Sequence, residues 1–248
     1  TTKAWCWQQG ARLRWHPVDS GSIIVNDVEG DHYVSKVLRI DTKETVRVIP
    51  MALYDIDSCF TYGLSLNFSR LQRLRPGYGY DSLPDLTEND KAPVDDGIFY
   101  YDLATNQSRL IISLKDMATK IDSELKYQHY FNHISIAPDG KRFLFFHIWN
   151  GPEIDSWKTR LCVYDFASGK TTVLEDIDKV SHYDWKSNEE LLVTCLTSNK
   201  SQYYALYHAV TGKKECLEND GLKKDGHPSF YKDATRFISD TYPLTHNM

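Results

Sequence analysis

The sequence predicts an all-β fold assembled from repeated four-stranded sheets, and three observations carry that reading. Ile134 and Ile136 alternate with Ser135, and Arg142 to His147 resumes as an aromatic, apolar run, so both segments have the period of two expected of strands. Between them stands Ala137-Pro138-Asp139-Gly140, a turn sequence that joins the two runs into a hairpin. The same layout returns at Ser181 to Leu196 and at Gly226 to Ser239, with histidines at 133, 182 and 227 standing 49 and 45 residues apart. Strand-rich units of that period are the signature of β-propeller blades.

The elements follow in order. Ala11 to Trp15 and Ser22 to Asn26 repeat the hairpin, with Arg12 where later repeats have histidine; Tyr33 to Ile40 and Thr45 to Ile49 complete a first blade over about 10–50. A second, over about 51–113, contains the strand Gly63 to Phe68, an insertion from Asp81 to Gly97 with six acidic residues against one lysine, and two closing strands around Ala104-Thr105-Asn106-Gln107. Ser113 to Asp116 reads as a helix start, and Met117, Ile121 and Leu125 at four-residue spacing predict one short helix between blades, Leu114 to Lys126. Blades three and four cover about 130–174 and 181–217, and a partial fifth covers 226–248. Four and a half blades in one domain, the first already supplying four strands of its own, predict a segment of a longer propeller.

Composition narrows the function. With 248 residues, 41% hydrophobic and 25% charged, disorder is excluded, and a net charge of −5 argues against a dedicated nucleic-acid partner. No apolar run approaches the roughly 18 residues of a membrane span, and the first residues, TTKAWCWQQ, lack the parts of a signal peptide. Five cysteines without Cys-x-x-Cys spacing point away from disulfide frameworks and zinc ribbons. Free thiols favour a cytoplasmic over a periplasmic setting while leaving localisation open. No Gly-x-Ser-x-Gly, phosphate-cradling glycine loop or His-Glu-x-x-His occurs.

Aligning the repeats places Arg12, His133, His182 and His227 at the start of the innermost strands, with Asn26 and His147 at the returning ends. Three neutral imidazoles suit a divalent cation of the Zn, Mn or Fe type; the competing reading is that each histidine hydrogen-bonds neighbouring strands. His147 is the candidate general base, with strand packing as its alternative. Arg70, Arg73 and Arg75, followed by Tyr78 and Tyr80, offer forked donors for an anion beside flat faces for a sugar ring, and Arg73 is the candidate for stabilising charge during catalysis. Here the alternative is a cover whose arginines serve the acidic insertion. Trp149 and Trp157 flank a further loop, and Trp5 and Trp7 stand near the first residue.

The segments HISIAPDGKRFLFF and GHPSFYKDATRFISDTYP resemble bacterial WD-like and Tol-associated propeller repeats. The histidines and Gly226-His227-Pro228-Ser229 further resemble oligogalacturonate lyases and their uncharacterised relatives. That resemblance implies a seven-bladed propeller in which histidines and a glutamine hold manganese and uronate oligosaccharides are cleaved by β-elimination. It carries His133, His182 and His227 across as metal ligands, and leaves Gln9 and Gln128 open as the glutamine. The expected partner is an acidic oligosaccharide contacted by Arg12, Arg70, Arg75, Tyr78, Tyr80 and Trp149. A non-catalytic propeller displaying loops to a protein or glycan partner is the competing expectation; an enzyme should gather titratable groups where a scaffold places apolar ones.

Overall fold

Alternation with a period of two becomes paired strands once one face can be buried. In this computed structural model, which describes residues 1–154 and 157–240, β1 (Arg14–Trp15), β2 (Ser22–Glu29), β3 (His32–Arg39) and β4 (Thr45–Ile49) form an antiparallel sheet in the order β1-β2-β3-β4. Ile24 opposes Val37 and Asn26 opposes Ser35, so the residues these strands bury face each other across the sheet, apolar against apolar and polar against polar. The second sheet has the order β5 (Asp55–Ile56), β6 (Tyr62–Ser65), β7 (Gly97–Asp102), β8 (Gln107–Ser113). In the third, β9 (Gln128–Ile136), β10 (Arg142–Asn150), β11 (Lys158–Asp165) and β12 (Lys170–Glu175) lie side by side in chain order. The fourth repeats that pattern with β13 (Lys179–Trp185), β14 (Glu190–Leu196), β15 (Gln202–His208) and β16 (Lys214–Cys216), and β17 (Ser229–Phe230) pairs with β18 (Phe237–Ile238). Of the expected fifth blade, residues 241–248 lie outside the described residues, as do 155 and 156 of the loop flanked by Trp149 and Trp157.

The chain divides into two units. The first comprises Thr1–Ile134 and His147–Trp157. Its core joins Ile24, Val37 and Ile49 of the first sheet to Leu53, Ile56, Tyr101 and Leu103 around the second. Polar stitching supplements this: buried Asn26 donates to the Leu53 carbonyl and to the Tyr80 hydroxyl, at 3.0 Å each, and accepts from Ser35 Oγ. The second unit comprises Ser135–Phe146 and the chain from Lys158 onward. There the turn Ala137 to Gly140 closes through a Gly140 N–H to Ala137 carbonyl bond of 2.9 Å, with Gly140 at φ 70 where a side chain would be strained. Phe143 packs against Phe145, Tyr164 and Phe166, and the β17–β18 pair is tied in by the Phe230 N–H donating to Asp184 at 2.6 Å.

The expected inter-blade helix is present and is corrected in length. The helix expected over Leu114 to Lys126 is α2, Leu114–Ala118 only. Beyond it Asp122 accepts the Tyr127 N–H and Leu125 turns to φ 48, a left-handed conformation that cannot continue a helix. A second helix, α1, Phe68–Leu74, falls within the second blade between β6 and β7, and Phe68 stacks on Tyr54 with ring centres 5.9 Å apart. Asn67 caps it by accepting the Arg70 N–H at 2.9 Å, Phe68 and Leu71 bury one face, and Pro76 follows its end.

Candidate functional site

Arg12 and His133, equivalent positions of the repeat, share an unusual backbone: both are left-handed, with φ 52 and 55. Holding a non-glycine residue there costs on the order of 1 kcal/mol or more, and such strain persists only where the surroundings impose it. They do so through Tyr54, which is 1% exposed. The Arg12 guanidinium lies 4.1 Å from the Tyr54 ring centre, and its Nε donates to the Tyr54 carbonyl at 2.9 Å. On the far side of the ring, the Tyr54 hydroxyl accepts the His133 N–H at 3.0 Å and donates to Asn132 Oδ1 at 2.9 Å.

Asn132 is fully buried. Its Oδ1 receives three donors, from Tyr54, from the His133 N–H at 2.8 Å and from Gln9 Nε2 at 3.3 Å, which fixes the amide's orientation. That leaves a buried donor, Asn132 Nδ2, and a buried acceptor, Gln9 Oε1, with no hydrogen-bond partner among the described residues. Buried polar groups are normally satisfied, so an unmatched donor and an unmatched acceptor on two residues already bonded to each other mark a place suited to a polar ligand.

Tyr78 tilts against His133, ring centres 5.8 Å apart, and carries the site to the turn after α1. Arg75 ends that helix through its N–H to the Leu71 carbonyl at 2.8 Å, so its side chain is aimed by the cap. The guanidinium sits 3.6 Å from the Trp157 ring centre and 4.8 Å from that of Tyr78. Burial pushes the neighbouring Tyr130 phenol up to about 12 against the pull of Arg75, so it stays a neutral donor at ordinary pH. Among the described residues neither Arg12 nor Arg75 has a carboxylate within ion-pair distance. The first unit thus brings Arg12, His133, Tyr78 and Arg75 into one belt of cations and rings.

Other expected contacts have different occupations. Arg70 is 1% exposed and donates to the carbonyls of His129, Thr87, Asp90 and Lys91 at 2.7–3.1 Å, which binds the acidic insertion to α1 and leaves no surface for a sugar. Arg73 pairs with Asp85 at 2.8 Å. Burial pushes the Asp85 carboxyl up, but hydrogen bonds from Thr87 and Arg73 outweigh it and hold the group below its usual value. Tyr80 is buried, stacked at 4.4 Å on Phe68, with its hydroxyl engaged by Asn26.

His147 is fully buried as well. Its Nε2 lies 3.0 Å from His129 Nδ1, and His129 Nε2 lies 3.2 Å from Asp122 Oδ2. Burial pushes Asp122 up, yet donation from the Lys126 and Tyr127 N–H groups and from His129 keeps it below its usual value, hence ionised and able only to accept. A neutral His129 then donates from Nε2 and accepts at Nδ1, so His147 donates from Nε2. Trp149 stacks over this chain, 6.3 Å from His129 and 5.6 Å from His147.

In the second unit His182 and His227 meet with ring centres 3.9 Å apart. His182 Nδ1 faces Asp225 at 3.1 Å and His227 Nδ1 faces Asp240 at 3.0 Å. Burial raises the Asp225 carboxyl, but hydrogen bonds from His182, Ser181 and Thr194 prevail and set it at about 2. Carboxylates on Nδ1 are the outer partners that histidine ligands of metals commonly have. Of the three expected ligands, two therefore share a unit and His133 belongs to the other. Among the described residues no group of three or more His, Cys, Asp or Glu is placed to hold a metal ion.

Comparison with known proteins gives no matching family model and no match among curated proteins. Solved structures do match. A oligogalacturonate lyase in complex with manganese superposes with a TM-score of 0.56 at 14% identity, over 90% of this chain and 56% of its own. The fold is that of a β-propeller. The four-stranded sheets are its blades, as the repeat period predicts. TolB from Acinetobacter baumannii matches with a TM-score of 0.46 at 16% identity, over 90% of this chain and 46% of its own. This propeller chain spans about half the length of the two proteins. No helix among its described residues is long and apolar enough to cross a membrane.

Two residues of the site, Tyr54 and Asn132, escaped the reading of the sequence. Each had a signal: Asn132 directly precedes the repeat histidine, and Tyr54 opens the second blade.

Proposed function

We propose that this propeller chain recognises an acidic oligosaccharide of uronate type at the belt formed by Arg12, His133, Tyr78 and Arg75. One observation carries the reading: the Arg75 guanidinium rests between Trp157 and Tyr78 with no carboxylate paired to it among the described residues. A guanidinium held by rings keeps its edge donors for a planar anion, and a uronate offers such a carboxylate on a ring that can lie on Tyr78. Asn132 Nδ2 and Gln9 Oε1 supply a donor and an acceptor of the kind sugar hydroxyls match. Polar and titratable groups gather here, which favours ligand recognition over a purely apolar scaffold surface. The likeness to the lyase supports the fold and adds to the reading only the class of ligand named by that protein.

The proposal stops at recognition. His147 has no exposed surface from which to reach a sugar C–H, and Arg73 is engaged by Asp85. The donor set does not complete a manganese site: His182 and His227 form a carboxylate-backed pair without a third ligand among the described residues, so no step is derived through a metal.

Calorimetric titration with hexagalacturonate tests the reading. Affinity for the hexamer should fall about tenfold to a hundredfold in Arg75→Ala, the worth of a charge-assisted hydrogen bond. Equal affinity of the variant and the parent would refute it. A rise in ultraviolet absorbance from unsaturated uronate during the titration would extend the function to cleavage.

A further inference from the structure

A second feature of the first unit has no part in that belt. Near the start of the chain Ala4 and Cys6 are buried, 0% and 4% exposed, while the alternate residues Trp5 and Trp7 point outward, 48% and 83% exposed. Their rings meet edge to face, centres 5.2 Å apart. The segment presenting them is pinned along its length. Lys3 N–H donates to Asp27 at 3.0 Å, Cys6 and Gly10 exchange backbone hydrogen bonds of 3.2 and 3.0 Å, and the Gln8 N–H donates to the Gly77 carbonyl at 3.0 Å. Two indoles held in water by a fixed backbone forgo the burial that such side chains normally gain.

They border a pocket of about 510 Å³ that Lys3, Gln8, Gln72 and Asp81 also line. Its polar equipment is suited to hydroxyl groups. Gln72 spends its Oε1 on the Gly77 N–H at 2.9 Å, which leaves its amide nitrogen as a donor at the pocket wall, and Gln8 adds a second amide. Lys3 and Asp81 contribute one positive and one negative charge, so the pocket has no net charge to attract an ion. Neither is in an ion pair among the described residues.

We propose that this pocket is a carbohydrate subsite that takes an uncharged pyranose, its C–H face laid on Trp7 and its hydroxyls shared among Gln8, Gln72, Asp81 and Lys3. The balanced charge separates it from the cationic belt, and the Arg75 to Tyr78 turn lies between the two, with Pro76 and Gly77 lining this pocket. The inference stands whether or not the belt takes a uronate.

The test uses the full chain with cellohexaose, xylohexaose and mannohexaose as neutral probes and hexagalacturonate as the charged one, followed by calorimetry and tryptophan fluorescence. At least one neutral hexamer should bind and shift the emission. Trp7→Ala should weaken that binding about tenfold, and Trp7→Phe, which keeps a ring face, should restore most of it. Arg75→Ala should leave neutral binding unchanged and weaken only hexagalacturonate, so the two sites fail separately. Because Trp7 is largely exposed, its replacement leaves the fold intact, as the thermal midpoint will show. No binding of any neutral hexamer at about 10 mM, or equal binding by Trp7→Ala, overturns the proposal. So does capture of a proline-rich peptide by the two tryptophans in the absence of glycan binding.

Discussion

Three arginines within six residues meet three fates, and the difference is one of geometry rather than residue type. Arg70 faces inward from α1 and satisfies four carbonyls of the insertion and β9; Arg73, one turn on, meets Asp85; Arg75, at the cap, is taken up by rings. Replacing Arg70 by Ala takes the donor from the buried His129 carbonyl and unties the insertion from α1, and an unsatisfied buried group costs about 1–3 kcal/mol, so urea denaturation should show a loss of at least that size. Arg75→Ala should lose less than about 1 kcal/mol by the same measurement, while carrying the binding defect described above. A stretch rich in arginine is legible in the sequence as a cationic cluster. Which side chain turns inward is not, because that depends on the helical phase of a seven-residue element that the sequence left between helix and loop.

Elements show where local pattern suffices. Alternation and turn residues located every long strand, because a half-buried strand needs only neighbours on one face. The helices were harder. The Met117, Ile121, Leu125 stripe predicted three turns, but Asp122 draws the backbone into its own hydrogen bonds and the helix ends at Ala118. The short α1 survives because the chain after it folds back under it. Gly79 makes this possible: a Cβ there would stand 2.1 Å from the Phe68 carbonyl oxygen and 2.3 Å from the Gln72 nitrogen, both backbone atoms of α1. Gly79→Ala must push the helix off its seat. We expect a loss of about 1–3 kcal/mol, and a weaker hold on hexagalacturonate because Arg75 moves with the helix end. Unchanged stability by thermal or urea denaturation would show that the turn has room to relax.

At the level of the whole molecule, the repeat period made the propeller legible and gave equivalent positions for Arg12, His133, His182 and His227. Period alone does not state which of them share a unit: Arg12 and His133 belong to the first, His182 and His227 to the second. The two units have one electrostatic property in common, carboxylates held far below their ordinary values. Asp27 is set at about 2 in the first; Asp225 and Glu175 are set at about 2 in the second. Burial acts to raise Glu175, but Lys214, Tyr207 and the N–H groups of Asp178 and Ile177 prevail. A folded value below the unfolded one stabilises above the unfolded value, here 4.5 for Glu175, and that contribution disappears as pH falls toward 2. Thermal midpoints should therefore decline across this window, and Glu175→Gln should start lower at neutral pH and decline less steeply. The buried run from Asp122 through His129 to His147 bears on how this chain can change in evolution. Loss of one member takes a hydrogen-bond partner from its neighbours, whereas loss of both imidazoles removes the shared bond together. His129→Leu and His147→Leu should accordingly be coupled by about 0.5–3 kcal/mol, the double variant costing less than the two single ones combined. Positions 129 and 147 are then a single heritable character, two codons that drift as one.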